Sequence, residues 1–110
     1  VSEARSHYKE GFRHFGEQRW DEAIAAYRKA VEIDPDLAIA WNGLAMALHR
    51  KGDLDGAIEA GHRLVSLEPD EPLGHTSLSI FYQAKGRVPE AEEEKAIAMR
   101  LTMKRRGEGA

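Results

Sequence analysis

The sequence contains no cysteine. Disulfide staples and thiolate metal sites are therefore excluded, and oxidising and reducing compartments are both open to it. No apolar run approaches the roughly 18–20 residues that a bilayer-spanning helix needs, so a membrane partner is not expected. An excess of positive charge is missing too. Sixteen Lys and Arg stand against 19 Asp and Glu, for a formal net charge of -3. A nucleic-acid groove needs surplus cations to displace counterions, so no nucleic-acid partner is expected. The opening Val1-Ser2-Glu3-Ala4-Arg5 is polar and shows no secretory signal, which gives a cytoplasmic location as the expectation. The chain does not open with Met, so it is either processed or a fragment of something longer. Proline is scarce, at four residues, and each falls where a helix boundary is expected.

What is present is a period. Ala23, Ala57 and Ala91 lie 34 residues apart, as do Pro35 and Pro69, Leu44 and Leu78, and Gly52 and Gly86. A repeat of this length marks stacked helical units. Such an array has a long surface rather than a buried catalytic centre. At 110 residues it forms one small domain.

Six helices follow from the pattern. Tyr8, Phe12 and Phe15 recur at helical spacing, giving a first helix over about 3–17. A second begins at Trp20 and ends near Ile33, where Asp34-Pro35-Asp36 stops it. Asp36 is the expected N-cap of a third helix, over about 37–51, which ends at a left-handed Gly52. A fourth covers about 54–67 and closes at Glu68-Pro69-Asp70. A fifth spans about 72–85 and ends at Gly86. Pro89 sits in the first turn of the sixth, whose acidic start and basic end both suit the helix dipole. Residues 107–110 should fray. The short connections force antiparallel hairpins.

Framed as 4–37, 38–71 and 72–105, the chain resembles a tetratricopeptide repeat (TPR) protein. Trp41, Leu44, Ala45, Leu48, Gly52, Ala57 and Pro69 carry the likeness in the middle repeat. Gly11, Trp20, Ala23, Tyr27, Ala30 and Pro35 carry it in the first, and Leu78, Ser79, Tyr82, Gly86, Ala91 and Ala98 in the third. The resemblance implies an all-α, right-handed α-solenoid of three repeats over residues 1–106, with no enzymatic activity and no cofactor. Two departures stand out. Glu10 replaces a family Leu, so the start of the array should face solvent. Gly61 replaces a large aromatic, and Leu64, one turn on, is expected to refill that volume.

In such proteins the first helix of each pair lines a concave groove. That register gives Phe12, Met46 and Ile80 as an apolar row, Tyr8, Asn42 and Thr76 as a second, and Phe15, His49 and Gln83 as a third. Arg5, Ile39 and Leu73 lie at the edge. Met and aromatic side chains on an exposed wall suit an apolar or amphipathic segment of another protein. Chaperone adaptors of the family use a clamp of Lys and Asn on the first helix, Asn on the third, and Lys and Arg on the fifth. Tyr8, Phe12, Gly43, Leu73 and Ser77 occupy those positions, so chaperone C-terminal tails are expected not to bind.

Other chemistry is set aside. His7 and His14 lie two turns apart, without the adjacent-turn pair of a zinc motif. His7 and His75 share a register with Trp41 and should fill packing positions, so no metal site is expected. The sixth helix carries Glu92 where earlier repeats have Ile24 and Ile58, which wets its outer face. Met99, Leu101 and Met103 are then candidates for exposed apolar surface and self-association. A peptide-binding adaptor is the expected function. The alternative is a scaffold piece, possible as a homo-oligomer, joined through the array ends.

Overall fold

The computed structural model describes residues 2–107. Six helices run in order: α1 (Glu3–Gly16), α2 (Trp20–Ile33), α3 (Ala38–Lys51), α4 (Leu54–Leu67), α5 (Pro72–Ala84) and α6 (Val88–Arg105). Among the described residues there is no strand. Each helix packs on its neighbours in sequence, and α1–α3 and α3–α5 also touch. That is a solenoid of three helix hairpins, with extents of 41 × 33 × 21 Å. The expected frayed tail begins at Gly107, a turn residue with φ 77°; residues 108–110 lie outside the described part.

The helix boundaries follow local chemistry. Ser2 accepts from the Arg5 N–H at 3.2 Å and caps α1. Asp53 accepts from the Gly56 N–H at 2.9 Å and caps α4. The expected cap at Asp36 does not form. Its own N–H donates to the Asp34 carboxylate at 3.1 Å, and Leu37 takes the N-cap position without a side-chain cap bond. Leu37 is 5% exposed. Burying that side chain and closing the Asp34 turn together take precedence over a cap by Asp36.

Gly52 and Gly86 end α3 and follow α5 with φ of 97° and 81°. Gln18 holds the same register in the first repeat and adopts φ 61°, which an L side chain reaches only at a cost. Ion pairs repeat as well. Lys51 bonds Asp21, and one repeat later Lys85 bonds Asp55. Both pairs are exposed, so each contributes about 0–1 kcal/mol.

The core depends on who fills each junction. Between the first and second repeats the filler is Tyr27 of α2, 2% exposed. Its ring lies between two glycines. A Cβ on Gly11 would sit 2.8 Å from the ring, and a Cβ on Gly43 would sit 2.5 Å from it. Between the second and third repeats the roles reverse. Gly61 stands at the register of Tyr27, and the volume comes from α5 instead. A Cβ on Gly61 would meet Leu78 at 2.8 Å and Phe81 at 3.6 Å, and both are fully buried. Refilling at Gly61 therefore comes from across the interface rather than from Leu64 along the same helix. Close packing demands that the summed volume be kept, not that either partner be the large one.

The register shared by His7, Trp41 and His75 is used for packing with one polar anchor each in the second and third repeats. The Trp41 indole N–H donates to the Pro35 carbonyl at 2.7 Å. His75, 8% exposed, shares a hydrogen bond of 2.7 Å between its Nδ1 and Glu94 Oε1. Glu10 is exposed, so the front of the array is wet.

Candidate functional site

The stacking that buries one face of α1 and α3 leaves another face lining the seam between them. Tyr8, Phe12 and Phe15 of α1 meet Ile39, Asn42 and Met46 of α3 around a small cleft of about 160 Å³, floored by Tyr27 and Gly43. Tyr8 and Phe12 stack obliquely at 6.1 Å, and Tyr8 leans on Tyr27 at 5.8 Å. Phe12 is 63% exposed. An aromatic left this open in a well-packed domain has area to give to a guest. The two-glycine slot around Tyr27 is what brings the α1 and α3 backbones close enough for these side chains to share one wall.

A second cleft, about 370 Å³, continues from the first past Asn42 and Ile39 to Leu73, with Arg5, Asp36 and Glu68 around it. Ile39 and Asn42 line both. Ile39 was placed at the groove edge by the sequence; it bridges the two clefts. A register row cannot show this, because it treats each helix alone, whereas the bridge depends on the relative height of α1, α3 and α5.

The remaining residues of the expected rows go elsewhere. Thr76, Ile80 and Gln83 of α5 line a separate cleft with Met99 and Met103 of α6. His49 is half-buried, with its ring 5.2 Å from that of Phe81. Leu101 is half-buried and lines neither groove, while Met99 and Met103 are 57% and 41% exposed.

Three buried polar atoms on the groove helices have no hydrogen-bond partner among the described residues: His14 Nδ1, Asn42 Oδ1 and His49 Nδ1. Such atoms are uncommon in folded proteins. Asn42 is the one set between the two clefts; its Oδ1 is buried, which leaves the amide N–H groups to donate to a peptide carbonyl. The guanidinium of Arg50 covers the rings of Phe15 and Trp20 at 5.8 and 5.6 Å, closing that end of the wall with a cation–π contact. Among the described residues no group of three or more His, Asp or Glu is placed to hold a metal ion. No helix there is long and apolar enough to cross a membrane.

Comparison with known proteins identifies the repeat. The family profile described as "TPR repeat" matches residues 11–52, and the one described as "Tetratricopeptide repeat" matches residues 38–71. A putative pentatricopeptide repeat-containing protein of Arabidopsis thaliana is 36% identical over 69 residues, 63% of this chain and 9% of that protein. A peroxisomal targeting signal receptor of Eremothecium gossypii is 26% identical over 91 residues, 83% of this chain and 16% of the receptor. This chain thus spans under a fifth of those relatives. A crystal structure of MamA superposes with a TM-score of 0.91 at 26% identity, covering 94% of this chain and 61% of that one. The fold is that of a tetratricopeptide-repeat solenoid.

The comparisons correct one expectation. The TPR2B domain of yeast Sti1, solved as a complex with a pHsp70 peptide, superposes at a TM-score of 0.88 with 20% identity over 92% of this chain and 81% of that one. The first TPR domain of Spaghetti (RPAP3), bound to the HSP90 peptide SRMEEVD, does so at 0.85 with 21% identity, over 89% and 78%. The exclusion of chaperone tails therefore does not stand. It rested on five side chains alone, and this backbone is shared with domains that hold chaperone peptides. A missing cationic fork removes one set of contacts and does not by itself exclude such a peptide.

Proposed function

Because the chain is a tetratricopeptide repeat protein, we propose that it works as an adaptor that holds a segment of another protein along α1 and α3. Residues 1–106 act as one unit of three repeats in this reading, in the cytoplasm. The observation that carries it is the continuous wall of Tyr8, Phe12, Ile39 and Met46, with the amide of Asn42 at its centre. The apolar wall supplies burial and Asn42 fixes the backbone of the guest. Phe15 and His49 flank one end, and Leu73 marks the other. Thr76, Ile80 and Gln83 share those register rows but face the separate α5–α6 cleft, so they are left out of this wall. The relatives support the class of guest: a targeting-signal receptor and chaperone-peptide domains are named among them. The class is not narrowed against chaperone tails.

The test is selection of binders from a displayed library of short peptides, followed by titration by fluorescence anisotropy. Wild type should yield a shared motif with apolar anchors. A Phe12→Ser, Met46→Ser double variant should lose binding by at least about tenfold at unchanged helicity. An Asn42→Ala variant should weaken every selected peptide whatever its side chains. Selected peptides that bind the double variant as tightly as wild type would place the site elsewhere.

A further inference from the structure

The first helix of each later repeat lies on the hairpin before it. α3 rests on α2 and touches α1, and α5 rests on α4 and touches α3. Among the described residues no helix covers the corresponding seat on α5 and α6. That seat is a cleft of about 590 Å³. Its middle is apolar: Ile80 is 45% exposed, Met99 57% and Met103 41%.

A head-to-tail copy does not suit this seat. The face by which α3 and α5 dock carries Ala40, Gly43, Leu44 and Ala47, and then Gly74, Ser77, Leu78 and Phe81. The same register on α1 reads Ser6, Lys9, Glu10 and Arg13, all exposed. The front of the array is polar and cannot repeat the contact, so the front of another copy does not fit this seat.

The free stripe of α6 has a symmetry of its own. Glu92, Lys95, Met99, Met103 and Arg106 are all exposed, and their spacing runs three, four, four, three. At about 100° per residue all five fall within about 40° of the Met99 direction. Rotate a second copy by half a turn about an axis through Met99. Residue 92 then faces residue 106, residue 95 faces residue 103, and Met99 faces itself. Glu92 meets Arg106 of the second copy twice, once on each side. The stem of Lys95 lies over Met103 of the second copy while its ammonium reaches water. Neither Glu92 nor Lys95 has an ion-pair partner among the described residues. The pattern is self-complementary in position and in charge, which is what an isologous two-fold interface requires.

We propose that this chain pairs with a second copy of itself through the α5–α6 face, the two α6 helices antiparallel and Met99 on the two-fold axis. Each α6 then lies in the cleft of the other copy and covers its Ile80. The pairing uses a face apart from the Phe12–Met46 wall, so the proposed adaptor role and this dimer can fail separately.

Sedimentation velocity on the full chain, over about 1 μM to 1 mM, reads the association. Wild type should shift from monomer to dimer within that range. Met99→Lys should stay monomeric, since it sets two ammonium groups against each other, yet keep wild-type helicity and peptide binding. Glu92→Arg and Arg106→Glu should each weaken the dimer by about tenfold or more at low salt, and the double swap should restore it to within about threefold. A monomer at every concentration would overturn the proposal, as would a dimer indifferent to Met99→Lys. Failure of the double swap to restore pairing would also overturn it. So would a monomer whose α5–α6 cleft instead takes up an added amphipathic helix, lost on Met99→Lys; that result would give the seat to a different occupant.

Discussion

Gly43→Ala should destabilise the protein, although it places a good helix former in the middle of a helix. In an open helix that exchange gains about 1 kcal/mol. Here the new Cβ would sit 2.5 Å from Tyr27 Cε1 and 2.6 Å from Cζ. The ring cannot retreat, because the Gly11 Cβ direction lies 2.8 Å from its other side and Tyr8 leans on it at 5.8 Å. Either α3 moves away from α2 or Tyr27 leaves its rotamer. Forced overpacking of this kind costs about 1–3 kcal/mol, and pinning on both sides places it at the upper end. The net loss is then about 1–2 kcal/mol, or roughly 5–10 °C in Tm for a domain of this size.

Urea melts followed by circular dichroism measure this directly. Gly16→Ala is the control: no atom lies within 4 Å of its added Cβ, so it should show only the helix gain. A second variant locates the cause. In a Tyr27→Leu background Gly43→Ala should become neutral or stabilising, a coupling of about 1–3 kcal/mol between the two sites. If Gly43→Ala is as stable as wild type, or if its cost is unchanged without the Tyr27 ring, the account of this junction is wrong.

Two further outcomes follow from single residues. Gln18→Gly should raise stability by about 0.5–1 kcal/mol, because relief of a left-handed side chain exceeds the extra freedom of Gly in the unfolded chain; a fall in Tm would refute this. Burial, with the Tyr8 hydroxyl beside it, pushes the Tyr27 phenol up from 10.0 to about 12. A raised phenol favours the neutral form in the fold, so its contribution is intact below pH 10. It should be lost between pH 10 and 12, by up to about 2–3 kcal/mol. The urea midpoint of Tyr27→Phe should lack that component of the alkaline decline.

The sequence carried the elements well because helix boundaries are local. Pro35, Gly52, Pro69 and Gly86 act on their own backbone, and each boundary falls within a residue or two of its expected place. Asp36 misled because a cap is a competition. A carboxylate that can cap lost to a neighbouring Leu that could be buried. Gly61 misled for a different reason. Its missing volume is returned by Leu78 and Phe81 on another helix, and no periodicity links either of them to Gly61. Phe12 and Met46 share one register row and Tyr8 and Asn42 a second, so these positions are legible from the repeat alone. The bridging role of Ile39, and the joining of Ile80 to Met99 in another cleft, required the packed hairpins.

Phe12 and Phe81 show why residue type alone reads this chain poorly. Both are aromatic, and both lie on the first helix of a repeat. They occupy the ninth and tenth positions of their repeats, counting from residues 4 and 72. One position on a helix is a turn of about 100°. That turn takes Phe12 to 63% exposure beside a cleft and Phe81 to complete burial against Gly61. The first is available to a partner and the second is committed to the fold. An array of near-identical units therefore separates binding from stability by angle rather than by composition. A single-residue insertion early in α1 would carry Phe12 to the solvent-facing register of Arg13 and bring Glu10 into the slot of Gly11 against the Tyr27 ring. It would damage the junction and the wall together, whereas Phe12→Ser would damage the wall alone.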